Sequence, residues 1–237
     1  MNTAIIPARG GSQRIPRKNI KLFHGRPMIA WSIQAALDSA CFDQVLVSTD
    51  DDEIAAIARK YGAATPFVRP PKLSDHHSTT GAVMQHAVQW LQDQGADVSA
   101  VCCLYATAPF VQPGDLQYGL QLLQAQALEY VFSATGYSFP IQRAFYLDAH
   151  GRVQLFQPEH LLTRSQDLPE AFHDAGQFYW GRGQAWLDSK PIFSAQSVPL
   201  ILPAHRVQDI DTPQDWLRAE QLFALQPTQT FSHKVYA

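Results

Sequence analysis

Short apolar runs separated by stretches of helical period constrain this chain more than any other feature. Residues 4–6, 45–48, 101–104 and 130–134 are apolar or small at consecutive positions and too short for helices. That is how strands read when both faces are buried. Between them, Pro27 opens a stretch that sets Met28, Ile29, Trp31, Ile33, Ala36 and Leu37 along one helical face. Asp50 with Glu53 three residues on is the expected cap of a second helix, whose inner face is Ile54, Ile57, Ala58 and Tyr61 and whose end is Gly62. A short strand is expected around Phe67. Thr80 precedes a third helix with Met84, Ala87, Val88 and Leu91, and Pro113 starts a fourth with Leu116, Leu120 and Leu123. Strands are expected again at 177–180 and 198–202. Thr212, Pro213 and Asp215 then form a capping box for a last helix. The pattern specifies an α/β fold of three layers, a mostly parallel sheet between helices.

The chain has 237 residues, 46% of them hydrophobic, enough for one substantial core. The rhythm breaks over residues 136–169, where 145–147 and 153–156 flank turn residues 148–151; this hairpin leaves the main sheet as a lid or dimerisation arm. Residues 226–237 are polar and aperiodic and read as a disordered tail. A formal charge of −3 argues against nucleic acid as a partner. No apolar run approaches the roughly 20 residues that span a bilayer. The first residues run straight into a strand without an export-type leader, so the expected location is cytoplasmic. Cys41, Cys102 and Cys103 lack metal-ligand spacing and read as reduced core thiols.

Directly after the first strand, Arg9, Arg14, Arg17 and Lys18 place four cations in ten residues, with Gly10 and Gly11 among them. Glycines let backbone N–H groups approach an oxyanion, and the cations supply charge where open α/β sheets bind ligands. The spacing fits neither the Walker loop nor the dinucleotide fingerprint. Asp209 and Asp211, two apart in an extended stretch, can direct two carboxylates one way and suit Mg²⁺. His76-His77 lacks a third ligand and reads as a solvated loop. Ser12 and Ser48 have no recognisable histidine partner for nucleophilic catalysis.

Six separated blocks carry a resemblance: Ile6 to Lys21, Val47-Ser48-Thr49-Asp50, Phe67-Val68-Arg69-Pro70, Tyr105-Ala106-Thr107-Ala108-Pro109, Asp174 to Trp180 and Asp209-Ile210-Asp211-Thr212-Pro213. Together they resemble the CMP-sialic-acid synthetase (acylneuraminate cytidylyltransferase) family over residues 1–225. The resemblance implies a Rossmann-like nucleotidyltransferase fold and transfer of CMP from CTP to a nonulosonic sugar acid for surface glycan synthesis. Pseudaminic acid is the expected acceptor, with N-acetylneuraminate and legionaminate as alternatives. A nucleotide-sugar-dependent glycosyltransferase is the rival from another class. By the same resemblance Ala8, Arg9, Gly10, Gly11, Ser12, Lys18, Asn19, Arg69 and Thr107 hold the nucleotide. Lys18, Arg9 and Asp211 are catalytic, and Asp209 with Asp211 holds Mg²⁺. Arg164, Asp174, Gln177 and Tyr179 take the sugar, with Arg164 gripping its carboxylate. Gln13 stands where many relatives carry lysine, and Tyr105 and Ala108 depart from the common pattern in a way that suits a different sugar. A homodimer is implied by the resemblance and by the excursion.

Overall fold

The computed structural model describes residues 1–226; the rest of the expected tail lies outside the described residues. In chain order the elements are β1 (Asn2–Pro7), β2 (Leu22–Phe23), β3 (Arg26–Pro27), α1 (Met28–Ser39), β4 (Gln44–Ser48), α2 (Asp52–Lys60), α3 (Thr80–Asp93), β5 (Ala100–Leu104), α4 (Pro113–Ala125) and β6 (Tyr130–Gly136). There follow β7 (Phe145–Leu147), β8 (Val153–Leu155), β9 (Phe172–Arg182), α5 (Gly183–Leu187), β10 (Ser197–Ile201) and α6 (Pro213–Ala224). Six strands make the central sheet in the order β10-β6-β9-β5-β1-β4. β1 pairs in parallel with β4 and β5, and β10 with β6, while β9 runs antiparallel between β5 and β6.

Strand period decides which residues meet which helices. Ala4, Ile6, Val45, Val47, Cys102 and Leu104 pack with Ile29 and Ile33 of α1, Ile54 of α2 and Leu116 and Leu120 of α4. Alternate residues Ile5, Leu46, Val101 and Cys103 pack on the other face with Met84, Val88 and Leu91 of α3 and Trp186 of α5. The three-layer α/β arrangement expected from the alternation is therefore present. A third cluster joins Phe23, Met28, Phe110, Ile210 and Trp216, seating α6 against the β2–β3 ribbon. All three cysteines are free thiols, and Cys102 and Cys103 are buried. No described helix is long and apolar enough to cross a membrane.

Local departures have local causes. Asp51, not Asp50, caps α2, its carboxylate accepting from the Ile54 N–H at 2.9 Å. Asp50 is instead taken by the Gly10 N–H. α3 is capped by Thr79, one residue earlier than expected, and Thr80 is its first helical residue. The strand expected around Phe67 shrinks to two isolated bridges, Leu46 to Ala64 and Thr49 to Val68, because Pro66 and Pro70 interrupt any ladder there. The 145–147 hairpin forms its own two-stranded sheet, closed by Asp148 accepting from the His150 and Arg152 N–H groups with Gly151 at φ +73°. The capping box of Thr212 and Asp215 forms as expected. The ribbon β2–β3 and the short α5 carry too few residues to show a period.

Gly119 on α4 faces the buried Trp180 indole, which stacks on Phe42 at 4.9 Å and donates to the Leu116 carbonyl. A Cβ there would lie 2.7 Å from the ring. Helix propensity favours Gly119→Ala by about 1 kcal/mol, whereas overpacking against a fixed ring costs about 1–3 kcal/mol. The expected outcome is a net loss of up to about 2 kcal/mol in urea unfolding; a gain would show that α4 slides away from the sheet freely.

Candidate active site

β1 lies at the point where the winding of the sheet reverses, since α1 leads from it to β4 on one side and α3 leads to β5 on the other. The crevice above the carboxyl ends of such strands is where open α/β sheets take ligands. A cavity of about 400 Å³ opens there. Its walls come from the 9–19 loop, from Arg69 to Val83, from Tyr105 to Thr107 and from Asp211.

Each cation of the loop is held by a protein acceptor. Arg9 donates to the Asp75 carbonyl at 2.8 Å. Arg14 pairs with Asp211 at 2.7 Å, and Lys18 approaches the same carboxylate at 3.3 Å while donating to the Ile210 carbonyl. Arg17 is turned the other way, onto Asp51 and Glu53, and does not line the cavity. These pairs raise the Arg17 guanidinium and hold the Asp51 carboxyl below its usual range. Arg17 sits at φ +56°, a left-handed conformation that costs roughly 1–2 kcal/mol without a glycine. Neighbouring side chains thereby face opposite ways, and Lys18 is aimed inward.

The two glycines differ. A Cβ on Gly10 would meet the Asp51 carboxylate at 2.6 Å, so close packing alone requires glycine there. Around Gly11 nothing lies within 4 Å of such a Cβ, so the protein itself sets no limit and an approaching ligand would. Ala8 is buried beneath the loop, its N–H on the Ser48 carbonyl at 2.9 Å, and Gly10 and Gly11 do not contribute to the lining. Ser12, Lys18, Asn19, Arg69 and Thr107 do. Asn19 supports the loop by donating to the Arg9 carbonyl. Arg69 is 4% exposed and donates to the Ser48 carbonyl, its Nε buried without a partner; burial lowers its pKa.

The residues assigned to the sugar are less united. Tyr179 donates to Asp174 at 2.6 Å and lies against Tyr105, and burial pushes both phenols up. Tyr105 and Thr80 reach the cavity lining; Asp174, Gln177 and Tyr179 stand behind it. The buried Gln177 commits its amide to the Arg206 carbonyl. Arg164 does not come to the cavity: it is exposed on the excursion and pairs with Asp167, three residues away.

Asp211 lines the cavity and Asp209 does not. Burial, then the charge of Asp211, pushes the Asp209 carboxyl up. An all-oxygen pair whose charges oppose each other suits a hard divalent cation that completes its shell with substrate oxygens. Among the described residues no set of three or more His, Cys, Asp or Glu side chains converges.

Sequence reasoning missed the wall opposite the loop. His76 and His77 lie in an exposed loop as expected, but Gln13 and His76 touch at 2.8 Å, and His76 with Asp75 and Ser78 also lines the cavity. Asp75, accepting from the His77 and Ser78 N–H groups, shapes that turn; the Asp75-x-x-Ser78 spacing was its only sequence signal.

The family described as "Cytidylyltransferase" matches residues 3–184. The pseudaminic acid cytidylyltransferase of Campylobacter jejuni subsp. jejuni serotype O:2 is 46% identical over 97% of this chain and 99% of its own length. The CMP-N,N'-diacetyllegionaminic acid synthase of Legionella pneumophila is 30% identical over 94% of this chain and 96% of its own. Among solved structures, CMP:2-keto-3-deoxy-manno-octonic acid synthetase complexed with CTP superposes with a TM-score of 0.67 at 18% identity, covering 94% of this chain and 98% of that one; at that identity the likeness is one of fold. A cation-bearing loop at the switch point of a three-layer sheet, a matching family and a near full-length relative agree: the chain belongs to the cytidylyltransferase family of nucleotidyltransferases.

Proposed function

We propose that the protein transfers CMP from CTP to pseudaminic acid and releases pyrophosphate in the cytoplasm. The observation that carries this reading is the convergence of Arg9, Arg14, Lys18 and Arg69 with Asp211 in one cavity at the switch point. Those four cations face two lining carboxylates, Asp75 and Asp211. The excess of two positive charges matches a triphosphate with one divalent cation, which carries about two negative charges. The Campylobacter jejuni relative supports the choice of sugar.

The anomeric hydroxyl attacks the α-phosphorus, the bond from that phosphorus to the bridging oxygen breaks, and pyrophosphate leaves with the electron pair and takes up the proton that the hydroxyl gives up. No covalent intermediate is needed. Arg9 and Ser12, with the backbone of Gly11, cradle the phosphates on a loop braced by the Ala8 and Gly10 N–H groups on Ser48 and Asp50, while Arg69, Asn19 and Thr107 serve the nucleoside side. Lys18, held at a fixed point by the Ile210 carbonyl, faces the charge that develops on the phosphoryl oxygens. Arg14 and Lys18 exchange Asp211 for phosphate as the nucleotide enters, freeing that carboxylate. Asp209 and Asp211 would hold Mg²⁺, which supplies Lewis-acid charge at the phosphates. Tyr105, backed by Tyr179 and Asp174, forms the acceptor wall.

The excursion exposes Phe139, Phe145, Leu147, Phe156 and Leu162, with Leu162 93% accessible. Such a surface is a docking face, and a homodimer through it is the proposed assembly.

Purified protein with CTP and Mg²⁺ should release pyrophosphate with pseudaminic acid and not with N-acetylneuraminic or legionaminic acid, and Asp211→Ala should slow it roughly 100-fold or more. No release with any of the three acids would sink the reading. Gly11→Ala should leave the melting temperature unchanged yet raise the KM for CTP, because only the ligand needs that space; unchanged KM would remove Gly11 from the phosphate site. Leu147→Lys with Leu162→Lys should give a monomer by light scattering, and an unchanged dimer would place the interface elsewhere.

A further inference from the structure

Asp115 is the one fully buried carboxylate among the described residues, and its partner Arg206 is 7% exposed. The pair is bidentate, Nη1 to Oδ2 at 2.7 Å and Nη2 to Oδ1 at 3.2 Å. Asp115 also accepts from the Gln112 N–H at 3.2 Å and so caps α4. Helix capping needs no arginine. A buried ion pair is also a poor source of stability, since apolar side chains of similar volume often serve as well. What a planar guanidinium on a carboxylate does supply is direction.

The contacts around the pair close a circuit through three segments. The Arg206 carbonyl accepts from the Gln177 side chain. The Gln177 carbonyl accepts from the Tyr105 N–H at 2.9 Å. From Tyr105 the chain runs through Ala106 and Thr107 into α4 and back to Asp115. Tyr105, Ala106 and Thr107 form one wall of the cavity, and Asp211, five residues beyond Arg206, forms another.

We infer that the buried Asp115–Arg206 pair, closed into a circuit by Gln177, is a positioning device that sets the segment bearing Asp209 and Asp211 against the Tyr105–Thr107 wall. Neither side chain lines the cavity. The pair acts through the Ile210 carbonyl and Asp211, which hold Lys18. The inference rests on cytidylyl transfer at this site as its readout of rate, and on backbone protection as a readout independent of it.

The test replaces the pair by an apolar one, Asp115→Leu with Arg206→Met, beside the conservative Arg206→Lys. Thermal unfolding, hydrogen exchange over residues 203–211, and kcat and KM for CTP are measured for each. The double variant is expected to melt close to the wild type, to exchange faster over 203–211, and to lose kcat by about 10–100-fold with KM for CTP little changed. Arg206→Lys keeps the charge and loses the fork, so it should show the same signature more weakly, and it decides the matter if the double variant fails to fold. Wild-type kcat and wild-type exchange in a folded variant would overturn the positioning role. Wild-type protein inactive with every sugar acid would overturn the reaction instead, leaving the exchange result to judge the pair.

Discussion

Four cations on ten residues of loop repel one another, and the site is organised by how the fold neutralises that charge before a ligand does. Acceptors arrive from three distant places: Asp51 and Glu53 at the start of α2, the Asp75 turn, and the Ile210–Asp211 stretch before α6. The partners are unequal in kind. Arg17 meets two carboxylates in an arrangement that also caps a helix, so it is spent on structure. Arg9 has only a carbonyl, and Arg14 and Lys18 share one carboxylate, so these three can change partners at little cost. The loop is thus divided into one anchor and three cations whose partners can be exchanged.

Much of this was legible in the residues. Consecutive apolar runs identified the central strands, and Thr212-Pro213-x-Asp215 marked the start of α6, because burial on both faces and a capping box each leave a local record. Strand direction leaves none: nothing in Phe172 to Arg182 says that β9 runs against its neighbours. The acids Asp50 to Glu53 offered several caps, and the choice of Asp51 depends on where Gly10 comes to rest.

The cavity showed the same division. Lys18 and Asp211 were recognisable singly, but their pairing spans 193 residues of chain and exists only through the fold. Gln177 looked like a donor for a polar substrate and is a buried strut, since an amide serves a backbone carbonyl as readily as a sugar. Arg164 looked like a carboxylate grip, and a neighbouring aspartate satisfies it. Polar side chains announce their chemistry in a sequence but not their partner.

The placement of β9 has a consequence for synthesis of the chain. β5 and β6 are both made before β9, yet in the sheet they touch it and not each other. A nascent chain that has reached Gly136 therefore carries two apolar strands with open edges facing a gap one strand wide, and the whole excursion must be made before that gap can close. Open strand edges are templates for pairing with other chains. Until residues 172–182 of β9 are available, the facing edges of β5 and β6 have no partner within this sheet, so the order of synthesis leaves its centre to close late.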